Sequence, residues 1–400
     1  MPVLDLPRHI VIESGALNKL DELMAAQGSK RVLVVMDSFL ANPPINLHEK
    51  VVRVLRKSGI ESTLFSDYVG EPTTRNVEEA VKQLQTFEAD GVIAIGGGSA
   101  IDLAKAAAVF GANNEIKWDE IARQRKLDRL PLLAVPTTAG TGSEATKIMV
   151  ITNLETNVKM NPSHPNLIPD AAVLDPDLTL SLPVHFTAYT GLDALTHAIE
   201  AYVSNRASSM TDLFALKAIH EIGRALPKVM KDGKDKEARK ELILASCYAG
   251  VAFSNASTNL AHAAGRPLGA RFHIPHGLSV AMLLPFVLRF GVESCKERYA
   301  DIAVALGEPS SLSTEELAKS AIRRIDRYNE AFSIWRDARK YIQPEQLVEE
   351  IPALTADALS GNGILTNRKV PNEHDIQVIF HMLAEKLTTV DEKSVGATMK

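Results

Sequence analysis

The first half of the chain alternates short apolar runs with amphipathic stretches, and this alternation limits the fold more than any other feature. RVLVVMD (31–37) is continuously apolar and ends in a carboxylate, as expected of a strand buried in a parallel sheet. HEKVVRVLRKSGI (48–60) has helical spacing, STLFSDY (62–68) fits the next strand, and NVEEAVKQLQTFEAD (76–90) is again amphipathic. Strands that alternate with helices at this spacing predict a doubly wound α/β unit.

Two segments that contain glycine continue the pattern. GVIAIGGGSAID (91–102) predicts a strand, a glycine turn and a helix that runs to about Phe110, and PLLAVPTTAG (131–140) repeats the strand and the turn. EATKIMVITNLETNVKMN (144–161) differs, because two alternating runs flank residues 154–157. This arrangement predicts a β-hairpin.

The pattern changes near Pro183. Apolar residues then recur at intervals of three and four, as in GLDALTHAIEAYVS, DLFALKAIHEIGRAL and ELILASCYAGVAF. This spacing predicts helices, and no convincing strand pattern follows. Since 400 residues exceed what one compact core usually holds, we expect an α/β domain at 1–180 and an all-α domain at 181–400.

Charge and apolar content argue against several classes of protein. A formal net charge of −5 does not favour a nucleic-acid or anionic-membrane binder. The longest apolar stretch, Leu278 to Leu288, is too short to span a bilayer, and the sequence predicts no secretory signal. The two cysteines, Cys247 and Cys295, predict no disulfide framework and are typical of a cytoplasmic protein.

The glycine turn GGGSAIDLAK (96–105) is a candidate phosphate site. Glycines let the backbone approach a phosphate, the helix start offers unpaired N–H groups, and Ser99 could add a hydroxyl donor. The alternative is a tight strand–helix turn with Ser99 as the N-cap residue. The spacing is not that of the GxGxxG dinucleotide fingerprint, so both interpretations stay open.

Two other strand ends carry polar groups. Asp37 ends the first strand, where a carboxylate can accept hydrogen bonds from the ribose of NAD and repel the 2′-phosphate of NADP. Its alternative role is that of a solvated turn residue or helix cap. VPTTAGTGSE (135–144) could cradle adenine and diphosphate, or form a polar loop. The glycine turn, Asp37 and residues 135–144 support a common cofactor site only if their strand ends are adjacent.

Four residues of the second half are candidate metal ligands. Asp193 and His197 are four apart on a helical pattern, so they share one face. His262 lies on a further predicted helix, and His276 lies in a Pro-His-Gly turn. One carboxylate and three imidazoles would suit Fe²⁺ or Zn²⁺. Capped or surface histidines are the alternative, and spacing alone does not exclude the nearby His185 or His273 as ligands.

Five motifs together resemble the iron-containing (group III) alcohol dehydrogenases, in that family's order and from about residue 8 to residue 385. They are GGGSAIDLAK, VPTTAGTGSE, LDPDLTLSLP (174–183), TAYTGLDALTHAIEAY (187–202) and AHAAGRPLGARFHIPHG (261–277). The resemblance implies an α/β dinucleotide-binding domain followed by an all-α catalytic domain, as in dehydroquinate synthase, with the active site in the cleft between them.

The resemblance also implies roles for particular residues. The metal ligands would be Asp193, His197, His262 and His276. Asp37 would favour NAD over NADP. The remaining cofactor contacts would be Gly97, Gly98, Ser99, Thr137, Thr138, Thr141, Thr146 and Lys159. The implied activity is the NAD(H)-linked interconversion of a small primary alcohol and its aldehyde with Fe²⁺, Zn²⁺ or another divalent metal, in a cytoplasmic homodimer or larger homo-oligomer.

Arg266 is the main departure from the family, which usually has a histidine at this place. Helical spacing puts Arg266 on the same side as His262, and arginine can bind a carboxylate, sulfonate or phosphonate with two hydrogen bonds. We therefore expect a substrate with an anionic group, such as a hydroxy acid semialdehyde or a sulfonated aldehyde. Pairing of Arg266 with a helix end or an acidic residue is the alternative. His273 and His276 are further candidate catalytic residues.

Two other functions remain open at this stage. One is a phosphate-ester enzyme of the same architecture, similar to glycerol-1-phosphate dehydrogenase. The other is a metal- and nucleotide-binding assembly protein without turnover.

Overall fold

A computed structural model describes residues 3–113, 115–156 and 158–397. These residues form two compact units, one that spans Asp5–Ser181 and one that comprises the chain from Leu182 onward together with Val3 and Leu4. The first unit contains all the described strands, and the second is helical.

The first unit is built on six parallel strands with the order β1-β8-β5-β4-β2-β3. The strands are β1 His9–Ile12, β2 Arg31–Met36, β3 Glu61–Phe65, β4 Gly91–Gly96, β5 Leu132–Pro136, β6 Ile151–Asn153, β7 Val158–Met160 and β8 Ala171–Leu174, of which β6 and β7 form a separate antiparallel pair. The helices of this unit are α1 Leu20–Ala26, α2 Ser38–Ala41, α3 Leu47–Arg56, α4 Thr74–Thr86 and α5 Gly98–Ala112.

Both faces of the sheet are covered. Val32 and Val34 belong to a core on one face with Leu20, and Leu33 and Val35 belong to a second core on the other face. A strand buried on both faces has no reason to alternate with polar residues, which explains the continuous apolar run of β2. The predicted doubly wound parallel sheet is confirmed.

Some strands gave no clear signal in the sequence. β1 and β8 are four residues each, and β8 begins with Ala171 and Ala172, whose small side chains carry little β-propensity. The hairpin is also shorter than its sequence pattern, because Ser143–Ala145 forms a 3₁₀ turn and the paired strands begin only at Ile151.

The sheet order places the carboxyl ends of β2, β4 and β5 side by side. Met36 pairs with Ile95, and Gly96 pairs with Pro136. The three polar strand ends of the sequence, those after residues 36, 96 and 136, are therefore neighbours at one edge of the sheet.

The second unit consists of ten helices in the part of the chain that the structure describes. They are α6 Val184–Val203, α7 Ser209–Lys231, α8 Lys236–Ala256, α9 Leu260–Phe272, α10 His276–Gly291, α11 Lys296–Ala305, α12 Thr314–Ala331, α13 Ile334–Ala338, α14 Pro344–Leu359 and α15 Glu373–Ala397. α6 is central, since nearly every residue from Thr187 to Val203 is buried. A helix buried in this way packs against other parts of the unit on nearly every side, so its polar residues must find their partners within the protein.

One stretch of the described chain, His276–Ser294, has the length and apolar composition of a membrane-crossing helix. Of its most apolar window, 61% is buried inside the protein. That burial is typical of a core helix in a globular protein.

Candidate metal centre and cofactor loops

A carboxylate and two imidazoles converge in the helical unit. Asp193 comes from the middle of α6, His262 from the first turn of α9 and His276 from the first residue of α10. Asp193 Oδ1 lies 3.5 Å from His262 Nε2 and 3.7 Å from His276 Nε2. One donor atom from each of the three residues lies within 4.8 Å of the other two. The structure thus brings together three residues that are far apart along the chain.

The chemistry of these atoms fits a divalent cation. Asp193 Oδ1 and His262 Nε2 are buried and make no hydrogen bond, although buried polar atoms are normally paired. Ligands about 2.0–2.1 Å from a tetrahedral metal ion lie about 3.4 Å from each other, close to the observed separations. The side chain of His276 is 42% exposed, so one side of the cluster is open to a small molecule.

His197, the fourth predicted ligand, lies beside this cluster. Its Nδ1 atom is 4.0 Å from Asp193 Oδ2, and its ring stacks on His262 with centroids 4.3 Å apart. Phe253 covers the ring of His197 at 4.1 Å. Burial opposes the charge on Asp193, but the imidazoles of His197, His276 and His262 together outweigh it and hold the pKa of this carboxyl below its usual range. A carboxylate that stays ionised is ready to bind a cation.

Glu200 is a functional candidate that the sequence analysis missed. It is 1% exposed, and its Oε2 atom accepts a hydrogen bond of 2.6 Å from Nδ1 of His262. Its Oε1 atom accepts a second one, also of 2.6 Å, from the backbone N–H of Ala261. A proton held on Nδ1 leaves the Nε2 lone pair of His262 directed toward Asp193. Helical spacing in the sequence could have identified Glu200, because it follows Asp193 by seven residues and therefore shares its helix face.

Arg266 and His273 occupy different places on α9. Arg266 is half-buried and lies one turn after His262, so both residues share one face of the helix. His273 ends α9 in the left-handed conformation, with φ at 53°, and the cluster of ligand atoms does not include it. His185 lies two turns before Asp193, with its ring against Phe186.

In the α/β unit, Asp37 faces the glycine turn. Its Oδ1 atom accepts a hydrogen bond of 2.9 Å from the Tyr68 hydroxyl, and its Oδ2 atom accepts one of 3.4 Å from the N–H of Gly97. Burial raises the pKa of the Asp37 carboxyl. Asp37 precedes α2, but its side chain makes no capping hydrogen bond. Ser99 lies inside the first turn of α5, and Gly97 occupies the N-cap position.

The glycine turn and the threonine-containing loop after β5 (residues 137–142) pack against each other. A β-carbon on Gly98 would lie 3.0 Å from Thr141 Cγ2, which is too close for a residue with a side chain to fit without a shift. Gly96 has φ at +156°, and a β-carbon there would lie 2.5 Å from Asp37 Oδ2. Glycine is therefore needed at position 96, whereas at position 98 a side chain would require Thr141 to move by a few tenths of an ångström.

The remaining predicted cofactor contacts differ in exposure. Those partly open to solvent are Gly97, Gly98, Ser99, Thr138 and Thr141. Thr137 and Thr146 are buried, and the Thr146 hydroxyl accepts a hydrogen bond of 2.9 Å from Lys105. Lys159 lies on β7 and forms an ion pair of 2.7 Å with Glu71.

Glu144, which follows the loop 137–142, should make the stability of the fold depend on pH. Burial raises the pKa of its carboxyl to about 7 from an ordinary value of 4.5, against the opposing charge of Lys105. A carboxyl whose pKa is raised by folding stabilises the fold below its unfolded pKa, and this contribution is lost as the pH rises to about 7. Glu144→Gln should therefore raise Tm more at pH values above this range than below it.

Thermal melts of the wild type and of Glu144→Gln, at pH values below 4.5 and above about 7, measure how the difference in Tm depends on pH. Glu78→Gln, on the exposed face of α4, is the control and should show no pH-dependent difference. An equal change in Tm at both ends of the range would contradict the prediction for Glu144.

A parallel α/β unit with a glycine turn, joined to a helical unit with a carboxylate–imidazole cluster, is typical of metal-dependent dehydrogenases. Two family models match this chain: "Iron-containing alcohol dehydrogenase" over residues 7–176, and "Fe-containing alcohol dehydrogenase family, C-terminal" over residues 187–384. The chain therefore belongs to the iron-containing (group III) alcohol dehydrogenase family, and it is an alcohol dehydrogenase. Membership implies a divalent metal and a nicotinamide cofactor.

Individual relatives agree with this assignment. The probable alcohol dehydrogenase EutG of Escherichia coli K12 is 45% identical over 293 residues, which cover 73% of this chain and 74% of that protein. A crystal structure of 1,3-propanediol oxidoreductase has a TM-score of 0.90 and 33% identity, and it covers 96% of this chain and 100% of its own. Sulfoacetaldehyde reductase from Bifidobacterium kashiwanohense, solved with NAD⁺, has a TM-score of 0.84 and 26% identity, with 96% and 99% of the two chains covered.

Proposed function

We propose that this alcohol dehydrogenase uses NAD(H) and a divalent metal, Fe²⁺ or alternatively Zn²⁺, to interconvert a small primary alcohol and its aldehyde. The observation that carries the proposal is the cluster of Asp193, His262 and His276, in which Asp193 Oδ1 and His262 Nε2 are buried without hydrogen bonds. We further propose that the enzyme works in the cytoplasm as a homodimer or larger homo-oligomer, with 1–180 as the nucleotide domain and 181–400 as the catalytic domain.

The chain's own residues have separable roles in this reaction. When bound, the metal supplies Lewis-acid character that lowers the pKa of an alcohol, and the nicotinamide supplies the hydride chemistry. Asp193, His262 and His276 would hold the ion with His197 as fourth ligand, while Glu200 orients His262. The Phe253 ring on His197 excludes water from that side of the cluster.

The preference for NAD over NADP rests on Asp37. Its carboxylate lies at the end of β2, beside the glycine turn, and is oriented by the Tyr68 hydroxyl. A carboxylate at this strand end can bind the ribose 2′-hydroxyl and repels a 2′-phosphate. Gly97, Gly98 and Ser99 at the start of α5 would bind the diphosphate through backbone N–H groups.

An anionic substrate is proposed from Arg266. A guanidinium group one turn from His262 can bind a carboxylate or sulfonate with paired hydrogen bonds, which fixes the distance between the anion and the reacting carbon. The similarity to a sulfoacetaldehyde reductase supports a substrate of this kind. Hydroxy acid semialdehydes and small sulfonated aldehydes are the candidate classes.

Arg266→His should selectively reduce turnover of the charged substrate. We expect kcat/KM for an ω-oxo carboxylate to fall roughly ten- to hundredfold, the value of a charged hydrogen bond, with little change for the neutral aldehyde of equal length. Arg271→Met, on the same helix but paired with Glu350 and Asp357, is the matched control and should change neither rate. If Arg266→His left the ratio of kcat/KM for the charged and the neutral aldehyde unchanged, the proposal of an anionic substrate would be contradicted.

The proposed activity is tested by nicotinamide absorbance under anaerobic conditions. The purified enzyme is stripped of metal, reloaded with Fe²⁺ or Zn²⁺, and offered a panel of aldehydes and alcohols with NADH, NADPH and their oxidised forms. Metal-dependent oxidation of NADH by a small aldehyde is the expected result. Preference for a glycerol phosphate ester over every alcohol in the panel would reverse the substrate assignment, and preference for NADPH would overturn the role of Asp37.

A further inference from the structure

Lys105 is a fully buried cation beneath the proposed cofactor loops. It lies two turns into α5, and its side chain has no exposed surface. Its ammonium group donates hydrogen bonds to Ser143 Oγ at 3.0 Å, to Thr146 Oγ1 at 2.9 Å and to the Ile148 carbonyl at 2.6 Å. A lysine has three N–H donors, so all of them are used.

Asp102 completes this network from the preceding turn of α5. One of its carboxylate oxygens accepts a hydrogen bond from the Ser143 hydroxyl, and the other accepts one of 2.9 Å from the N–H of Val150. The same carboxylate lies 3.6 Å from the Lys105 ammonium. The buried positive charge is therefore balanced, which is the usual condition for a charge in a protein interior.

The segment that these two residues hold has little regular structure of its own. Between Gly142 and Ile151 it contains one short 3₁₀ turn and no named strand, and its backbone pairs with residues 162–164. The side chains of Lys105 and Asp102 join this segment to α5. The loop that precedes it carries Thr138 and Thr141, and Thr141 packs on Gly98 at the start of α5. The loop therefore meets the helix start at one end, while Lys105 binds the segment that follows.

We propose that Lys105 is a positioning residue, which with Asp102 holds the loop 137–142 in the conformation that binds the nicotinamide cofactor. This inference rests on the proposed use of NAD(H). It also changes the role of Thr146, which acts by anchoring the segment to Lys105 rather than by touching the cofactor, because its buried hydroxyl accepts the Lys105 hydrogen bond.

A residue that only stabilised the fold would behave differently, and Arg129 provides the comparison. Arg129 lies in the same unit, where it bonds to Asp170 at 2.7 Å and to three carbonyl groups. It precedes β5, and Asp170 precedes β8, so this network lies at the amino ends of the strands. The cofactor loops follow the carboxyl ends, at the opposite edge of the sheet.

The test is a fluorescence titration of the purified enzyme with NADH, together with the thermal midpoint of each variant. In Lys105→Met we expect NADH to bind at least about tenfold more weakly, a change of about 1.4 kcal/mol. KM for NAD⁺ should rise in parallel, whereas kcat at saturating cofactor should be largely retained. Arg129→Met should lower Tm and leave the NADH affinity unchanged.

Two further variants keep the test decisive if Lys105→Met is poorly folded. Lys105→Met combined with Asp102→Asn removes both charges, and we expect it to regain Tm without regaining NADH affinity. Thr146→Val removes one acceptor and should weaken NADH binding without affecting kcat. If the double variant and Thr146→Val both bound NADH with wild-type affinity, the proposed role of Lys105 would be overturned, while the proposed cofactor would stand. A wild-type enzyme that bound no NADH would instead overturn the proposed cofactor.

Discussion

Asp193→Asn should leave the protein folded but unable to retain its divalent metal, and kcat/KM for the alcohol should fall roughly a thousandfold or more. Asparagine has nearly the same volume as aspartate, so the packing of α6 should be preserved. The substitution removes the only carboxylate in the cluster of three ligand atoms, and imidazoles alone do not neutralise a divalent charge. The measurement is the metal content of the purified protein, together with steady-state kinetics.

A surface carboxylate of the same unit is the matched control for Asp193. Asp326 on α12 pairs with Arg289 on a partly exposed surface, and Asp326→Asn should change neither metal content nor activity. Full metal content and normal turnover in Asp193→Asn would remove the central support for the proposed reaction.

Glu200→Gln should weaken metal binding about ten- to hundredfold, the usual effect of changing a carboxylate that orients a ligating histidine. The wild-type side chain accepts two hydrogen bonds, one from His262 Nδ1 and one from the Ala261 N–H. Glutamine has only one carbonyl oxygen, so one of these two donors must face an amide N–H₂ group. Either the start of α9 or the orientation of the His262 ring is then disturbed.

Competition with a chelator of known affinity measures this effect without reference to turnover. Glu221→Gln is the control, because Glu221 is also a largely covered carboxylate with ion pairs, to Lys217 and Arg224, but it lies on α7. We expect metal affinity to be unchanged in that variant. Equal affinity in Glu200→Gln and the wild type would show that His262 is oriented by other contacts.

The sequence predicted the architecture well because the strongest patterns belong to the most buried elements. β2 and β4 are continuous apolar runs, and the change to helical spacing near Pro183 matches the start of α6 at Val184. β1 and β8 were missed because four residues with small or partly exposed side chains do not define a period. Pairing with neighbouring strands, rather than local sequence, makes them strands.

The candidate site was predictable only in part. Asp193 and His197 could be joined by helical spacing, but the approach of His262 and His276 to Asp193 depends on how α6, α9 and α10 pack. Glu200 and Lys105 were overlooked for one shared reason. A charged residue on a helix is usually solvated, and only the packed structure shows that both are buried within polar networks.

The contacts of Asp37 bear on any attempt to redesign the coenzyme preference of this enzyme. The same carboxylate that would repel a 2′-phosphate also accepts hydrogen bonds from Tyr68 and from the backbone of Gly97. Replacing it with a small neutral residue would admit the phosphate but leave both donors without their acceptor, next to the turn that must stay ordered. A successful redesign for NADP would need a substitute acceptor at position 37, paired with a compensating change at Tyr68.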